Sequence, residues 1–381
     1  MRRSPSAGWV EVDTEAIDRN IRTIRAELGG QAEFCAVVKA DGYGHGVELV
    51  TPLLIRNGIG VIGFTSNDEA ALVRSLGFTG RLMRLRPGTR EEIDDALRHG
   101  VEEWVGGVEH ACVVATVARE RRRRIRAHLS LNSTGLSRDG LAVGERPSDE
   151  VILSAIRDPA LRVVGVCSHF PCEDRADVRD GSARFDRESD EVIGLLGPGA
   201  PRPQRHCATT FAALHESGSR FDMVRIGAGL YGDSDALGGA LRPALRLVSS
   251  IAAINVYPAG STVGYERRHR LTDQATLAVV PLGYADGYHR SLGGRAEVLV
   301  RGKRAPVVDR LAMNTFIVDV SGILDARVGD EVVAYGAQGA DAITAADIER
   351  FTGHIAADLY TAWGRLLPRV PATIAERATA G

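Results

Sequence analysis

Apolar residues recur along this chain in two alternating rhythms. Trp9–Asp13 alternates apolar and polar positions and predicts a strand; Thr14–Leu28 carries Ile17, Ile21, Ile24 and Leu28 at helical spacing. Short apolar runs then predict strands near residues 33–39, 60–65, 81–86, 102–106, 124–131, 161–169, 203–208 and 222–227. Helical patterns fill most of the gaps, among them Asn67–Leu76, Thr89–His99 and Gly181–Leu196. About eight strand-then-helix repeats predict an α/β fold, a (β/α)8 TIM barrel. A doubly wound sheet is the alternative, because periodicity alone cannot close a barrel.

The rhythm changes after Gly232. Alternating strands are predicted at Ser249–Val256, Thr276–Leu282, Glu297–Val300, Phe316–Val320 and Glu331–Tyr335, and 298–307 reads as a hairpin. Two short helices are expected near 344–352 and 355–363, with Thr344 and Asp347 spaced to cap the first. The predicted organisation is a barrel over 14–240 and a mainly β C-terminal domain over 241–381, joined by the N-terminal strand 8–13.

Composition narrows the class. With 381 residues, 25% charged, 44% hydrophobic and a net charge of −2, the chain reads as a soluble globular protein without general affinity for nucleic acid. The basic run Arg119–Arg126 lacks interleaved aromatics and reads as a solvated helix end and turn. Five scattered cysteines form no metal-binding or disulfide framework, and no run is long enough to span a membrane. The N-terminus shows no apolar signal region, so a cytoplasmic protein is expected, with no metal and no membrane partner.

Candidate chemistry clusters where predicted barrel strands end. Phe34–Val38 delivers Lys39 to the glycine-rich stretch Ala-Asp-Gly-Tyr-Gly-His-Gly46, which would put an amine in a pocket where it can lose its proton and condense with an aldehyde. The other strand ends carry Arg84 and Arg86, Ser130 to Asn132, His169, Thr209 with Thr210, and Arg225 with Gly227. The last two loops, Ala208-Thr-Thr-Phe211 and Arg225-Ile-Gly-Ala-Gly-Leu-Tyr231, lie where this fold commonly binds phosphate. For each of these residues, a surface, capping or core role is the competing reading.

Lys39-Ala-Asp-Gly-Tyr-Gly-His-Gly46 resembles the pyridoxal-phosphate segment of the alanine racemase family. Phe221-Asp-Met-Val-Arg-Ile-Gly, Val263-Gly-Tyr265 and Gly283-Tyr-Ala-Asp-Gly-Tyr288 resemble further segments of that family, in order along nearly the whole chain. The resemblance implies pyridoxal 5'-phosphate as cofactor, held by Lys39, Tyr43, His169, Thr209, Thr210, Arg225, Gly227, Ala228 and Tyr360. It implies Lys39 and Tyr265 as two catalytic bases, and Arg138 with the Met313 backbone N–H as carboxylate ligands. It also implies a homodimer with shared active sites. An arginine facing the pyridine nitrogen would donate without giving up a proton, which weakens the electron sink and restrains transamination.

A finer resemblance is to the broad-specificity amino-acid racemase subgroup, carried by Arg84-x-Arg86, 128–140, 168–174, Met313-Asn-Thr315 and 358–364. It implies Arg84, Arg86, Asn132 and Asn314 as further substrate-binding residues, beside Tyr284 of the family's substrate-entry segment, and a substrate not restricted to alanine. Ser130 stands where narrow alanine racemases commonly have a lysine. Thr134 and Asp139 replace the glycine and asparagine usual in the subgroup; Asp139 is placed to brace Arg138. Cys35 matches one half of the subgroup's disulfide, but Gly60 stands at the other half. Alanine racemase proper, a decarboxylase of the same architecture and a non-catalytic pyridoxal-phosphate-binding protein remain alternatives.

Overall fold

A computed structural model describes residues 6–143, 157–197 and 200–372. The chain forms two compact units. One comprises Ala16–Gly42 and Val47–Arg242; the other comprises Tyr43–Gly46 and, within the described residues, 6–15 and 243–372.

The first unit is built on eight parallel strands: β2 (Glu33–Val37), β3 (Val61–Phe64), β4 (Arg81–Arg84), β5 (Val101–Val105), β6 (Ile125–Ser130), β7 (Leu161–Cys167), β8 (Gln204–His206) and β9 (Met223–Ile226). The sheet runs β8-β7-β6-β5-β4-β3-β2-β9, and the Arg225 N–H donates to the Ala208 carbonyl across the remaining seam, closing the barrel. Helices α1 (Thr14–Leu28), α2 (Val47–Arg56), α3 (Asn67–Ser75), α4 (Arg90–Ala96), α5 (Val108–Glu120), α6 (Arg175–Leu195) and α7 (Thr210–His215) alternate with the strands. Ile17, Ile21, Ile24 and Leu28 of α1 are all buried, as their spacing requires. The strands are buried on both faces, one meeting helices and the other the barrel interior; Cys35, Val61, Met83 and Met223 pack together, and the same strands carry the buried polar residues Glu102, His128, His206 and Arg225. The helix expected from Gly181 starts earlier, at Arg175, because Asp174 accepts the N–H groups of Ala176 and Asp177 and starts the first turn. The Arg119–Arg126 run is the end of α5, a turn and the start of β6.

The second unit is a mainly β assembly in the order β11-β14-β17-β16-β15-β18-β10-β1-β20. Its strands are β1 (Gly8–Val12), β10 (Leu245–Ser250), β11 (Ala253–Tyr257), β14 (Ala275–Val280), β15 (Glu297–Val300), β16 (Lys303–Val308), β17 (Phe316–Asp319), β18 (Glu331–Gln338) and β20 (Arg369–Pro371). Strand β1 pairs antiparallel with β10 and parallel with β20. The single strand expected over Ser249–Val256 is two: the chain leaves β10, which pairs with β1 and β18, and starts β11, which pairs with β14. Apolar alternation continues through Ile251 and cannot reveal this change of partner. A two-stranded ribbon, β12 (Thr262–Val263) with β13 (His269–Arg270), and the short β19 (Asp341–Ile343) lacked a readable sequence signal. Helix α8 (Ala345–Thr352) opens with the Thr344/Asp347 capping box, and α9 (Ala356–Leu366) follows. No helix among the described residues is long and apolar enough to cross a membrane.

Candidate active site

Lys39 leaves the end of β2 and is followed by an unusual turn. Ala40, Asp41, Gly42 and Tyr43 are all left-handed, with φ of 53°, 55°, 63° and 53°. Three of the four are not glycine, so the turn is strained and must be held from outside. Glu69 supplies much of that restraint. Its Oε1 accepts the Asp41 N–H at 3.0 Å, while Oε2 accepts the N–H groups of Thr65 at 2.8 Å and Ser66 at 3.0 Å. Sequence reading missed Glu69, although Ser66-x-x-Glu69 is a legible capping box. Asp41 Oδ1 then accepts the Val47 N–H at 2.9 Å, starting α2. Burial lowers the Lys39 pKa, and the positive charges of Arg138 and Arg225 lower it further against an opposing pull from Glu69.

Arg225 is almost fully buried. Its Nη1 donates to His206 Nδ1 at 2.7 Å and to the His206 carbonyl at 2.9 Å. Its Nη2 meets the Ser168 carbonyl at 2.7 Å, the Cys207 carbonyl at 3.2 Å and His169 Nδ1 at 3.2 Å. Burial, with Arg225, Arg138 and Lys39 nearby, pushes the His169 pKa down to about 3, so the imidazole is neutral at pH 7. The chain of contacts continues inward: His206 Nε2 lies 2.9 Å from His128 Nδ1, and His128 Nε2 lies 2.8 Å from Glu102. This buried relay was not anticipated, because strand spacing does not say which side chains face inward together.

The Thr209–Thr210 pair divides its duties. Thr210 Oγ1 accepts the Gly227 N–H at 3.3 Å and the Gly229 N–H at 3.2 Å, binding the two expected phosphate loops to each other. Those two glycine donors are therefore spent within the protein, and the Gly227 N–H, expected among the cofactor ligands, is engaged by Thr210. Thr209 sits at the N-cap of α7 without making a side-chain capping bond.

Arg84 is a clear correction. It is 0% exposed, with Nε 2.8 Å from Glu103 Oε2 and Nη2 2.8 Å from Asn67 Oδ1. A guanidinium enclosed in a buried ion pair cannot touch substrate; it ties β4 to β5 and α3. Arg86 is partly exposed and paired with Glu92. Asn132 uses both ends of its amide on Ser137: Oδ1 accepts the N–H at 2.8 Å and Nδ2 donates to Oγ at 3.1 Å. It thereby shapes the loop that presents Arg138, whose side chain is 54% exposed.

The second unit gathers the remaining residues. Tyr265 is 65% exposed and lies between two left-handed residues, Gly264 at φ 74° and Glu266 at φ 64°. A Cβ at Gly264 would collide with Asp309, so glycine is required there. Beside Tyr265 is a cavity of ≈ 400 Å³ lined by Arg310, Ala312, Thr315 and Phe316 among others. The Ala285 N–H donates to the Met313 carbonyl at 2.9 Å, and Gly283 packs against the same backbone, so Tyr284 and Met313 share a neighbourhood. Asn314 is exposed next to Met313. Tyr43–Gly46 docks on α9: a Cβ at Gly44 would strike the Tyr360 carbonyl, one at Gly364 would strike the Gly44 backbone, and His45 meets Tyr360 edge to face.

Residues 12–235 match the alanine racemase N-terminal domain and residues 244–371 the alanine racemase C-terminal domain. The broad specificity amino-acid racemase of Pseudomonas putida is 40% identical over 365 residues, covering 96% of this chain and 89% of that protein. The lysine racemase of Proteus mirabilis is 40% identical over 362 residues, covering 95% and 89%. The alanine racemase of D-cycloserine-producing Streptomyces lavendulae aligns in three dimensions with a TM-score of 0.87 at 31% identity, over 97% of this chain and 98% of that one. The chain belongs to the alanine racemase family.

Proposed function

We propose that this protein is a pyridoxal-phosphate-dependent amino-acid racemase whose substrates extend beyond alanine. The observation that carries the reading is Lys39, an amine of lowered basicity at the end of a barrel strand, with Arg138 and Arg225 near enough to depress it. This donor set fits the cofactor: a nucleophilic amine, a buried arginine beside a neutral histidine, and a threonine hydroxyl unused in capping. Pyridoxal phosphate would supply an aldehyde for imine formation and a ring that acidifies the proton on the substrate's α-carbon.

Lys39 would hold the cofactor and, with its amine free, would take or return the substrate's α-proton on one face. The Tyr265 hydroxyl does the same on the opposite face, as inversion requires. Arg138 and the Met313 N–H bind the substrate carboxylate. Both Nη groups of Arg225 are committed to the barrel, so Nε–H is the donor we assign to the ring nitrogen. A guanidinium does not surrender that proton, which favours reprotonation of the α-carbon over transamination. Tyr43, Thr209, Thr210 through its O–H, and Ala228 are assigned to the phosphate, and Tyr360 to the same cofactor; Gly227 joins the loops by donating to Thr210.

Tyr265, Tyr284, Met313 and Asn314 serve the barrel of a second copy, making a homodimer with two equal composite sites. The exposure of Tyr265 on its own unit supports that reading. Wider substrate range is supported by the similarity to the broad-specificity and lysine racemases. The test is a panel of L-amino acids with added cofactor, analysed by chiral chromatography. Methionine, lysine, arginine and glutamine should be racemised with kcat/KM at least matching alanine. Release of carbon dioxide without inversion, or no turnover at all, would overturn the proposal.

A further inference from the structure

Among the contacts that fasten the loop bearing Arg138 to the barrel, one joins the residue next to the arginine to a buried indole. Asp139, 9% exposed, accepts the indole N–H of Trp104 on Oδ2 at 2.5 Å and places Oδ1 3.4 Å from Arg138 Nε. Trp104 is buried on β5, and its ring also lies 5.5 Å from the Arg225 guanidinium carbon, a cation–π distance. One indole therefore touches the support of the exposed arginine with its N–H and the buried arginine with its ring.

The surroundings are shaped to admit this contact. A Cβ at Gly106 would lie 3.2 Å from Asp139 Cβ and 2.5 Å from Pro87, and the Gly140 N–H donates to the Gly106 carbonyl at 2.9 Å. On the other side, Asn132 clamps Ser137, a left-handed residue at φ 54°. Arg138 is thus fixed through both neighbours, by Asn132 before it and by Asp139 after it. Among the described residues, its own side chain is paired with Asp139, which accompanies it instead of covering it.

We infer that Asp139, anchored by Trp104, is a positioning residue that sets how Arg138 receives the substrate carboxylate. Trp104 is the shared support of the two arginines. This rests on the racemase reading above, in which Arg138 binds the carboxylate. A long exposed guanidinium loses several rotamers when it binds an anion. A carboxylate on Nε, held by a buried N–H, removes part of that loss in advance and leaves the two Nη groups to fork onto a second carboxylate.

The test uses propionate, a carboxylate without an amine, titrated calorimetrically into the cofactor-loaded enzyme. Arg138→Ala should abolish binding. Asp139→Ala and Trp104→Phe should each weaken it about tenfold, the scale of one hydrogen bond to a charged group. The double variant should be no worse than either single one, because both break the same link. Trp104→Phe keeps a ring beneath Arg225, so the visible absorbance of the bound cofactor should not change. Asp139→Asn retains an acceptor for the indole and should recover part of the lost affinity even if Trp104→Phe folds poorly. In turnover, KM should rise in the same proportion while kcat holds. If Arg138→Ala binds propionate as the wild type does, the assignment of Arg138 fails and this inference with it. If Arg138→Ala loses binding while Asp139→Ala and Trp104→Phe keep it, the inference alone fails. Additive losses in the double variant would also overturn it.

Discussion

Arg225 and His206 face each other across 2.7 Å, guanidinium N–H to imidazole Nδ1. The donor cannot be the histidine, because arginine has no acceptor. His206 therefore carries its proton on Nε2 and gives it to His128 Nδ1, and His128 in turn donates from Nε2 to Glu102. One fixed charge at the mouth orders three buried side chains below it. Burial and the Arg225 charge hold the His206 pKa well below the ordinary value, in keeping with two neutral rings.

Replacing Arg225 by glutamate should permit protonation of the cofactor's ring nitrogen. Racemisation should slow and the share of substrate converted to 2-oxo acid should rise. The partition is measured by following 2-oxo acid and enantiomer ratio in one reaction; an unchanged partition would remove Arg225 from the ring-nitrogen role.

The chain has only two lysines, Lys39 and Lys303, and Lys303 is exposed on β16. Borohydride treatment of the cofactor-loaded protein should bleach its visible absorbance and leave a pyridoxyl mass on the Lys39 peptide alone. Mass on the Lys303 peptide would refute the assignment.

Glu69→Gln leaves one oxygen and an amide N–H2 facing the N–H groups that a carboxylate now accepts. The melting temperature should fall, with a loss of about 1.5–3 kcal/mol. Lys39 loses the charge that raises its pKa, so cofactor uptake by the apoprotein should extend to lower pH. A variant with wild-type melting and uptake profile would show that the left-handed turn holds itself.

His169, His128 and His206 all have depressed pKa values, so between their folded and unfolded values the unfolded chain binds more protons. Their contribution to stability is complete above the unfolded value of 6.5 and is lost as pH falls through the folded values, for His169 about 3. Each histidine that stays unprotonated should cost about 1.4 kcal/mol per pH unit below the unfolded value. Thermal melts of the apoprotein from pH 7 to 4.5 should show a steep decline. A flat profile would contradict the neutral relay.

Lys39→Ala and Tyr265→Phe homodimers should each be nearly inactive. After subunit exchange, a mixed dimer holds one site with both lesions and one intact site. Random mixing makes about half the dimers mixed, so roughly a quarter of native activity should return. No recovery after exchange, verified by mass-tagged subunits, would place Tyr265 in its own chain's site.

Local chemistry made much of this protein legible in its sequence. Runs such as Phe34–Val38 and Val61–Phe64 are too apolar to lie open to water, and their alternation with helical spacing leaves few folds besides a barrel. Thr344 with Asp347 specified a helix start because a capping box needs only four consecutive residues. Lys39 was found for a related reason: the glycines and the amine that define its segment are contiguous.

What the sequence could not decide depends on residues distant along the chain. Arg84 and Arg138 are both arginines near strand ends, yet one is sealed by Glu103 and Asn67 and the other stands exposed. Only the fold brings Glu103 and Asn67 to Arg84, whereas Asp139 stands next to Arg138 in the sequence. Thr210 was expected as a phosphate ligand, and the approach of β8 to β9 also puts two glycine N–H groups on its hydroxyl oxygen, a second duty that leaves its O–H as donor. The left-handed run after Lys39 also belongs to the tertiary structure. No local preference favours four such residues in a row, and Glu69 brings its acceptors from α3, 28 positions away. Sequence determined the chemical groups and the elements that carry them; packing determined which partners those groups face, because burial leaves a charged or polar atom only the neighbours that the closed barrel supplies.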